Sequence, residues 1–583
     1  MKRRNGMAVL GLSALAHDPA AALIVDGHLV AAVEEERINR HKRTHAFPAG
    51  AITVVLDEGR LRLDDIDQIG YYWNDRRYLA HALREAARQA PANPVGFAQM
   101  AAQRLQGVAA PAMLRAGLRP LLADERAMPP IRFVDHHHAH LLAGWLSAPF
   151  AADAAIVVDG RGEVHSTSLY DLRGGPERPP RLIESYPFPN SLGVFYGAVT
   201  QLLGYTALSD EYKVMGLASY GRSDARWRER VRTLFRVDSE DRPHLDVSAV
   251  RPERCSGSEL PWLTPAARGR LAGRFRDGGT FTQEAFDFAH AAQEALEEAV
   301  LGLLRRLVTL TGARRVVLTG GVAMNAAAVG KARASGIVDE LHVPLAPADS
   351  GASIGAALDT LRAARAVLPP ATELVDPFLG PGYSDEAIEA ALVTSKLPFR
   401  RCETPRSAAE SVAAGRLVGW FDGRMEFGER ALGARSILGD PRQAGTRDRI
   451  NASVKRRESY RPFAPSVLEE HAARYFATGA SRRMGEIVPV TAAARDEVPA
   501  VVHVDGTARP QTVPADWPAR AFRKLIEHFH ALTGVPMVVN TSFNIRDEPI
   551  VCTPEDALRC FAVSGLDELF IGAFVVDKAA FRG

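Results

Sequence analysis

Asp26-Gly27, set between two apolar runs, limits the fold more than any other short stretch of the chain. A two-residue Asp-Gly link between alternating apolar segments is a hairpin signal, because both positions of the tight turn need positive φ. Residues 20–25 and 28–34 are therefore read as paired strands, and residues 7–13 as a strand before them. His17-Asp18 stands in the polar loop between the first two strands. The pattern returns at residues 154–159, 165–172 and 182–187, where the polar loop is Asp159-Gly160-Arg161-Gly162-Glu163. The residues barely repeat, so the duplication is one of structure.

A doubled antiparallel meander, each copy opening on a polar loop, is how the two halves of an actin-like ATPase fold begin. The fold class expected is α/β. At 583 residues the chain is too long for one core. Its domains are expected at residues 1–365 and 383–583, with a Pro/Gly-containing linker over 366–382 and an Ala/Arg/Leu-rich helical insertion near 78–128. Lys+Arg of 71 against Asp+Glu of 69 leaves a net charge of +2. That balance argues against nucleic-acid and membrane partners. The basic run 37–43 is either solvated or faces a phosphorylated ligand. The four cysteines, 255, 402, 552 and 560, form no Cys-x-x-Cys pair. A zinc ribbon and a disulfide framework are thus disfavoured, and a reducing cytoplasm is expected. The basic start is followed by an apolar run broken at Ser13, His17, Asp18 and Pro19, which reads as a strand rather than a signal peptide. No stretch reaches the roughly 20 apolar residues of a membrane span.

The chemistry is most concentrated at His136-His137-His138-Ala139-His140, at the start of an apolar helix that Asp135 is expected to cap. His136 and His140 are four apart and share a helix face. Paired neutral imidazoles suit iron, zinc, nickel or copper; the alternative is a polar first turn on a core helix. Asp159, at the end of a buried strand, is a plausible third ligand. Gly320-Gly321 turns from a strand into a helix, where backbone N–H groups approach phosphate or simply close a tight turn. Lys213 is either a phosphate cation or a surface lysine. Asp349 is either an N-cap or a carboxylate near metal or phosphate. Beyond the linker, Arg and Lys recur with Gly, Ser and Asn over 423–436, 454–465, 505–511 and 538–544. Four such stretches favour an anion pocket over scattered surface pairs.

Taken together, these motifs resemble the O-carbamoyltransferase family of antibiotic and nodulation-factor biosynthesis. The likeness covers nearly the whole chain. It rests on His17-Asp18, Glu34-Glu35-Glu36-Arg37, His136-His137-x-x-His140, Asp159-Gly160-x-Gly162-Glu163 and Lys213-Val214-Met215-Gly216. It continues through Gly320-Gly321-Val322-x-x-Asn325, Gly428-x-Arg430-Ala431-Leu432-Gly433, Arg461-Pro462-Phe463-Ala464-Pro465 and Asn540-Thr541-Ser542-Phe543-Asn544.

The resemblance implies an N-terminal domain like the tRNA threonylcarbamoyl transferase and a C-terminal α/β domain like the threonylcarbamoyl-AMP synthase. It implies that the C-terminal domain forms carbamoyl-adenylate from carbamoyl phosphate and ATP with Mg2+. The N-terminal domain then passes the carbamoyl group to a hydroxyl of a small-molecule natural product, near an Fe2+ or another transition metal. The implied metal ligands are His136, His140, Asp159 and Asp349. Gly160, Gly162, Lys213, Gly320, Gly321 and Asn325 would bind the adenylate. Arg430, Lys455, Arg461, Arg509, Asn540, Ser542 and Asn544 would bind ATP and carbamoyl phosphate. His17 and Asp18, with Lys455 and Arg461, are the catalytic candidates, His17 as base or as substrate contact. His138, between the ligand pair, leaves the pairing open. The expected assembly is a monomer or homodimer. A threonylcarbamoyl-adenosine tRNA modifier and a non-catalytic nucleotide-binding regulator are the competing readings. The first is disfavoured by the charge balance. The second has no use for the metal histidines.

Overall fold

Asp26 and Gly27 both take positive φ, 53° and 81°, as a two-residue hairpin demands. In the computed structural model this hairpin joins β2 (Ala20–Val25) to β3 (His28–Glu34), and β1 (Ala8–Ser13) pairs antiparallel with β2. β4 (Gln68–Tyr71) and β5 (Ile131–Phe133) extend the sheet in parallel, giving the order β3-β2-β1-β4-β5. A second sheet is built on the same plan. β6 (Ala154–Val158), β7 (His165–Asp171) and β8 (Arg181–Pro187) form the meander, and β9 (Arg315–Thr319) and β10 (Glu340–His342) follow in parallel. Its order, β8-β7-β6-β9-β10, repeats the first. The fold is mixed α/β with the duplicated actin-like plan that the sequence pattern suggests.

The structure describes residues 6–79, 110–124, 127–255, 257, 260–458, 460–477 and 481–581. The insertion expected over 78–128 lies largely outside these residues; its described part is a helix, Ala110–Leu118, and a short turn after it. The chain divides into two compact units, residues 1–35 with 45–375, and residues 36–44 with 376–583. Among the described residues no helix is long and apolar enough to cross a membrane.

Three helices position the first unit's chemistry: α1 (His136–Leu146), α2 (Gln283–Thr311) and α3 (Asp349–Ala363). β1 is buried along its whole length, and α3 lies against it. A Cβ at Gly11 would stand 2.0 Å from the carbonyl oxygen of Ser353, and one at Gly355 would stand 1.8 Å from that of Ala139. Glycine at these two crossings lets α3 touch both β1 and α1 backbone to backbone. That contact draws the first turn of α3, with Asp349, toward the histidine face of α1.

The second unit is an eight-stranded mixed sheet. Its strands are β11 (Phe399–Arg401), β12 (Val418–Phe421), β13 (Arg435–Gly439), β14 (Ala464–Leu468), β15 (Gln511–Val513), β16 (Met537–Ser542), β17 (Glu568–Ile571) and β18 (Phe574–Asp577). The order is β11-β18-β17-β12-β13-β16-β14-β15. Helix α4 (Arg520–Thr533) buries Phe522, Leu525, Ile526 and Phe529 at i, i+3, i+4 and i+7 spacing, the stripe of an amphipathic helix. The segment 36–44 is part of this unit. Arg37 Nη2 donates to Gly428 O at 2.8 Å, and Arg40 donates to Ile550 O at 2.6 Å and Pro549 O at 2.8 Å.

Candidate functional site

The first site forms where α1 and α3 meet the carboxyl end of β6. His136 and His140 point their Nε2 atoms at each other, 3.2 Å apart. Asp159 Oδ2 lies 3.0 Å from His136 Nε2, and Asp349 Oδ1 lies 3.3 Å from His140 Nε2 and 3.5 Å from His136 Nε2. All four residues are buried, and their ligand atoms lie within 4.8 Å of one another. Ligands about 2.0–2.2 Å from one cation stand about 3–3.5 Å apart, so the group fits a transition metal held by two imidazoles and two carboxylates. His138 takes no part. Its Nδ1 is 3.4 Å from Asp359, on another face of α1, which leaves His136 and His140 as the facing pair.

One local expectation needs correction, and one open alternative is decided. Asp135 sits at the N-cap of α1, but its side chain accepts no capping hydrogen bond. Asn74 Nδ2 donates to its carboxylate at 2.8 Å and Arg77 pairs with it, so the loop after β4 has taken it. Asp349 is not an N-cap either: Ala348 holds that position, and the carboxylate faces the histidines.

The electrostatics follow from burying charges this close together. Burial alone would lower His136, but Asp349, Asp159 and Glu163 outweigh it and raise the imidazole to about 9. Burial opposes ionisation of Asp159, yet the neighbouring histidines hold that carboxylate well below its usual range. Asp349 is lowered in the same way, by His136, His17 and His140 against burial. His137, buried beside three other histidines, is pushed well below the ordinary imidazole value. His17 Nδ1 lies 3.2 Å from Asp18 Oδ2 and 3.8 Å from Asp349 Oδ2. Burial lowers it, but Asp349, Asp18 and Asp159 raise it to about 10. His17 thus sits at the edge of the His136, His140, Asp159 and Asp349 group.

Around this centre, Gly321 N donates to Asp159 Oδ1 at 2.9 Å, and Gly320 takes a φ of 93° that lets its N donate to Pro347 O. The Gly320-Gly321 turn therefore adjoins the histidine and aspartate group. Ser191 Oγ donates to Gly160 O at 2.8 Å, and Gly162 N donates to His165 O at 2.8 Å, shaping the loop after β6. Asn325 caps the helix Ala326–Ala334, and its Nδ2 donates to Gln293 on α2. Lys213 Nζ pairs with Asp210 at 3.0 Å and lies over the ring of Tyr205. The rings of Tyr72 and Trp73 stand 5.2 and 5.3 Å from that of His136, an aromatic wall that sequence pattern did not single out.

The second site lies wholly in the second unit. Lys455 is buried, and its Nζ donates to Ser542 Oγ at 3.2 Å and Asn544 O at 3.1 Å. Burial, then Arg457, Lys42 and Arg461, hold it well below the usual lysine range. Arg509 is lowered by burial and by the charges of Arg430, Arg457 and Arg461. Like charges gathered this way favour an anion among them. Asn540 is fully buried and holds the sheet: its Nδ2 donates to Ala431 O, Ser466 Oγ and Gln511 Oε1. Glu426, also buried, accepts from the backbone N–H groups of Leu432, Ala434 and Arg435 and so shapes the loop that carries Arg430. Lys42 and Arg457 were not among the residues assigned from sequence. The basic run 37–43 was the available signal for Lys42, but only the tertiary structure assigns it to this pocket.

Comparison with known proteins finds relatives over most of the chain. The family described as Carbamoyltransferase N-terminus matches residues 8–358, and Carbamoyltransferase C-terminus matches residues 409–578. Nodulation protein NolNO of Sinorhizobium fredii is 38% identical over 96% of this chain and 79% of its own length. Nodulation protein NolO of Bradyrhizobium diazoefficiens is 38% identical over 76% of this chain and 79% of its own length. Among solved structures, full-length HypF in the phosphate- and nucleotide-bound form is similar over 61% of this chain and 55% of that one, at 13% identity and a TM-score of 0.35.

Proposed function

This chain belongs to the carbamoyltransferase family, and from that premise we propose that it is an ATP-dependent O-carbamoyltransferase acting on a natural-product hydroxyl. The observation that carries the reading is the gathering of Lys455, Arg430, Arg457, Arg461 and Arg509 in one unit, in a chain whose other unit holds the His136, His140, Asp159 and Asp349 group. In the second unit, carbamoyl phosphate, ATP (with Mg2+) and one water give carbamoyl-adenylate, pyrophosphate and phosphate. The guanidiniums neutralise phosphate charge, and Lys455, held over Ser542 and Asn544, orients the reacting oxygens.

In the first unit the acceptor oxygen attacks the carbamoyl carbon and AMP leaves with the bonding pair. His17, placed between Asp18 and Asp349, exchanges the hydroxyl proton. Gly320 and Gly321, whose N–H groups are held by Pro347 O and Asp159 Oδ1, close the tight turn beside the adenylate. His136, His140, Asp159 and Asp349 would hold an iron ion, which when bound supplies a Lewis acid for the carbonyl.

The test separates the half-reactions. Lys455→Ala is expected to abolish pyrophosphate release from ATP and carbamoyl phosphate, a loss on the order of 100-fold or more, while transfer from supplied carbamoyl-adenylate persists. Adenylate formation at the wild-type rate in that variant removes the assignment.

A further inference from the structure

Glu163 closes the loop after β6, and no role above uses it. Its side chain is buried at 6% exposure. Oε1 accepts the backbone N–H of His136 at 2.9 Å, and Oε2 accepts the same N–H at 3.1 Å. Oε1 also accepts the backbone N–H of Asn74 at 2.7 Å. His136 is the first residue of α1, so its N–H is one of the donors a helix start leaves without a partner. The residue at the ordinary capping position, Asp135, is engaged by Asn74 and Arg77 instead.

We infer that Glu163 is the positioning residue of the metal site: a carboxylate from a neighbouring loop caps α1 and fixes the rotation that aims His136 and His140 at Asp159 and Asp349. Three features support this. The carboxylate binds the backbone of a ligand residue, so a change in its position is a change in the ligand's. It lies four residues beyond Asp159 on the same loop, which ties two ligands from different elements to one short segment. Its hold on Asn74 fixes the loop carrying Trp73, whose ring stands 5.3 Å from that of His136. A negative group at a helix N-terminus is also favoured by the helix dipole. Groups that orient metal ligands commonly control affinity nearly as strongly as the ligands themselves.

The inference rests on the metal reading, and the experiment separates the two. Full-length protein is stripped of metal by chelation and titrated with Co2+, whose d–d absorption reports ligand geometry. Wild type is expected to bind; failure to do so overturns the metal reading and this inference with it. If wild type binds, Glu163→Ala is expected to weaken Co2+ roughly 10- to 100-fold and to shift the d–d band, with far-UV circular dichroism unchanged. Glu163→Gln, which keeps the Oε1 acceptor, should restore binding to within a few-fold. Asp135→Asn should stay near wild type. Wild-type affinity and an unshifted band in Glu163→Ala overturn the inference, as does an equal loss in Asp135→Asn. Should the alanine variant not fold, Glu163→Asp, one methylene short of both N–H groups, takes its place with the same expected and overturning results.

Discussion

Individual side chains in the first unit carry unequal costs. Asp75 follows the aromatic wall on the loop after β4, and both of its carboxylate oxygens are buried with no hydrogen-bond partner among the described residues. Burial pushes its carboxyl up to about 6. A carboxyl raised in the folded state favours folding while protonated, and that contribution is lost as pH rises from the unfolded value near 4 through about 6. Asp75→Asn should therefore raise the thermal midpoint at pH 7 to 8, with the gain shrinking toward zero below about pH 4. Melting curves across that range check it; an equal midpoint shift at both ends would assign the effect to packing instead. Buried, unpaired acids of this kind are invisible to sequence pattern, because Asp75 in Asn74-Asp75-Arg76-Arg77 looks like one member of a solvated charged turn. The residues of the His136, His140, Asp159 and Asp349 group are the opposite case. The His136/His140 spacing and the acid ending a buried strand were legible, whereas Asp349 was legible only as one of two alternatives, which the family resemblance narrowed to a ligand.

At the level of elements, the strands of the two meanders were placed to within a residue or two, since alternation and turn residues are local properties, whereas β4, β5, β10 and the strands of the second unit were not assigned. The start of α1 was placed correctly at Asp135; what was misjudged was which side chain caps it. Asp135 has the right chemistry for a cap, but the choice between it and Glu163 was made by a loop distant in sequence, through Asn74 and Arg77. The crossing of α3 over α1 was likewise not legible, because Gly355 within an Ala/Gly helix looks like a weak helix position. The structure makes it a contact. Gly355→Ala would drive a Cβ to 1.8 Å from Ala139 O, forcing the two helices apart. It should cost about 1–3 kcal/mol or more by the usual price of overpacking, and the bound metal should fall with it. Gly269→Ala, on a helix where a new Cβ meets nothing within 4 Å, should instead gain about 0.5–1 kcal/mol. Chemical denaturation and elemental analysis on both variants check the contrast; equal behaviour would show that the crossing is slack.

For the molecule as a whole, the division into two units does not follow the order of the chain. Residues 36–44 belong with residues 376–583, fastened by Arg37 on Gly428 and by Arg40 on Pro549, Ile550 and Asp556. The stretch also delivers Lys42 to the neighbourhood of Lys455. A fragment spanning 376–583 should therefore unfold at lower denaturant than the same fragment supplied with a synthetic 36–44 peptide, and should bind ATP more weakly without it. Isothermal titration on the two preparations measures the difference, and equal affinity would reduce the stretch to a surface tether. The consequence reaches the history of the chain. A gene cut between its two halves leaves the later half without a part encoded near the beginning, so exchange or loss of either half by simple recombination is penalised. Such a shared piece acts as a genetic lock, keeping both halves in one inheritance.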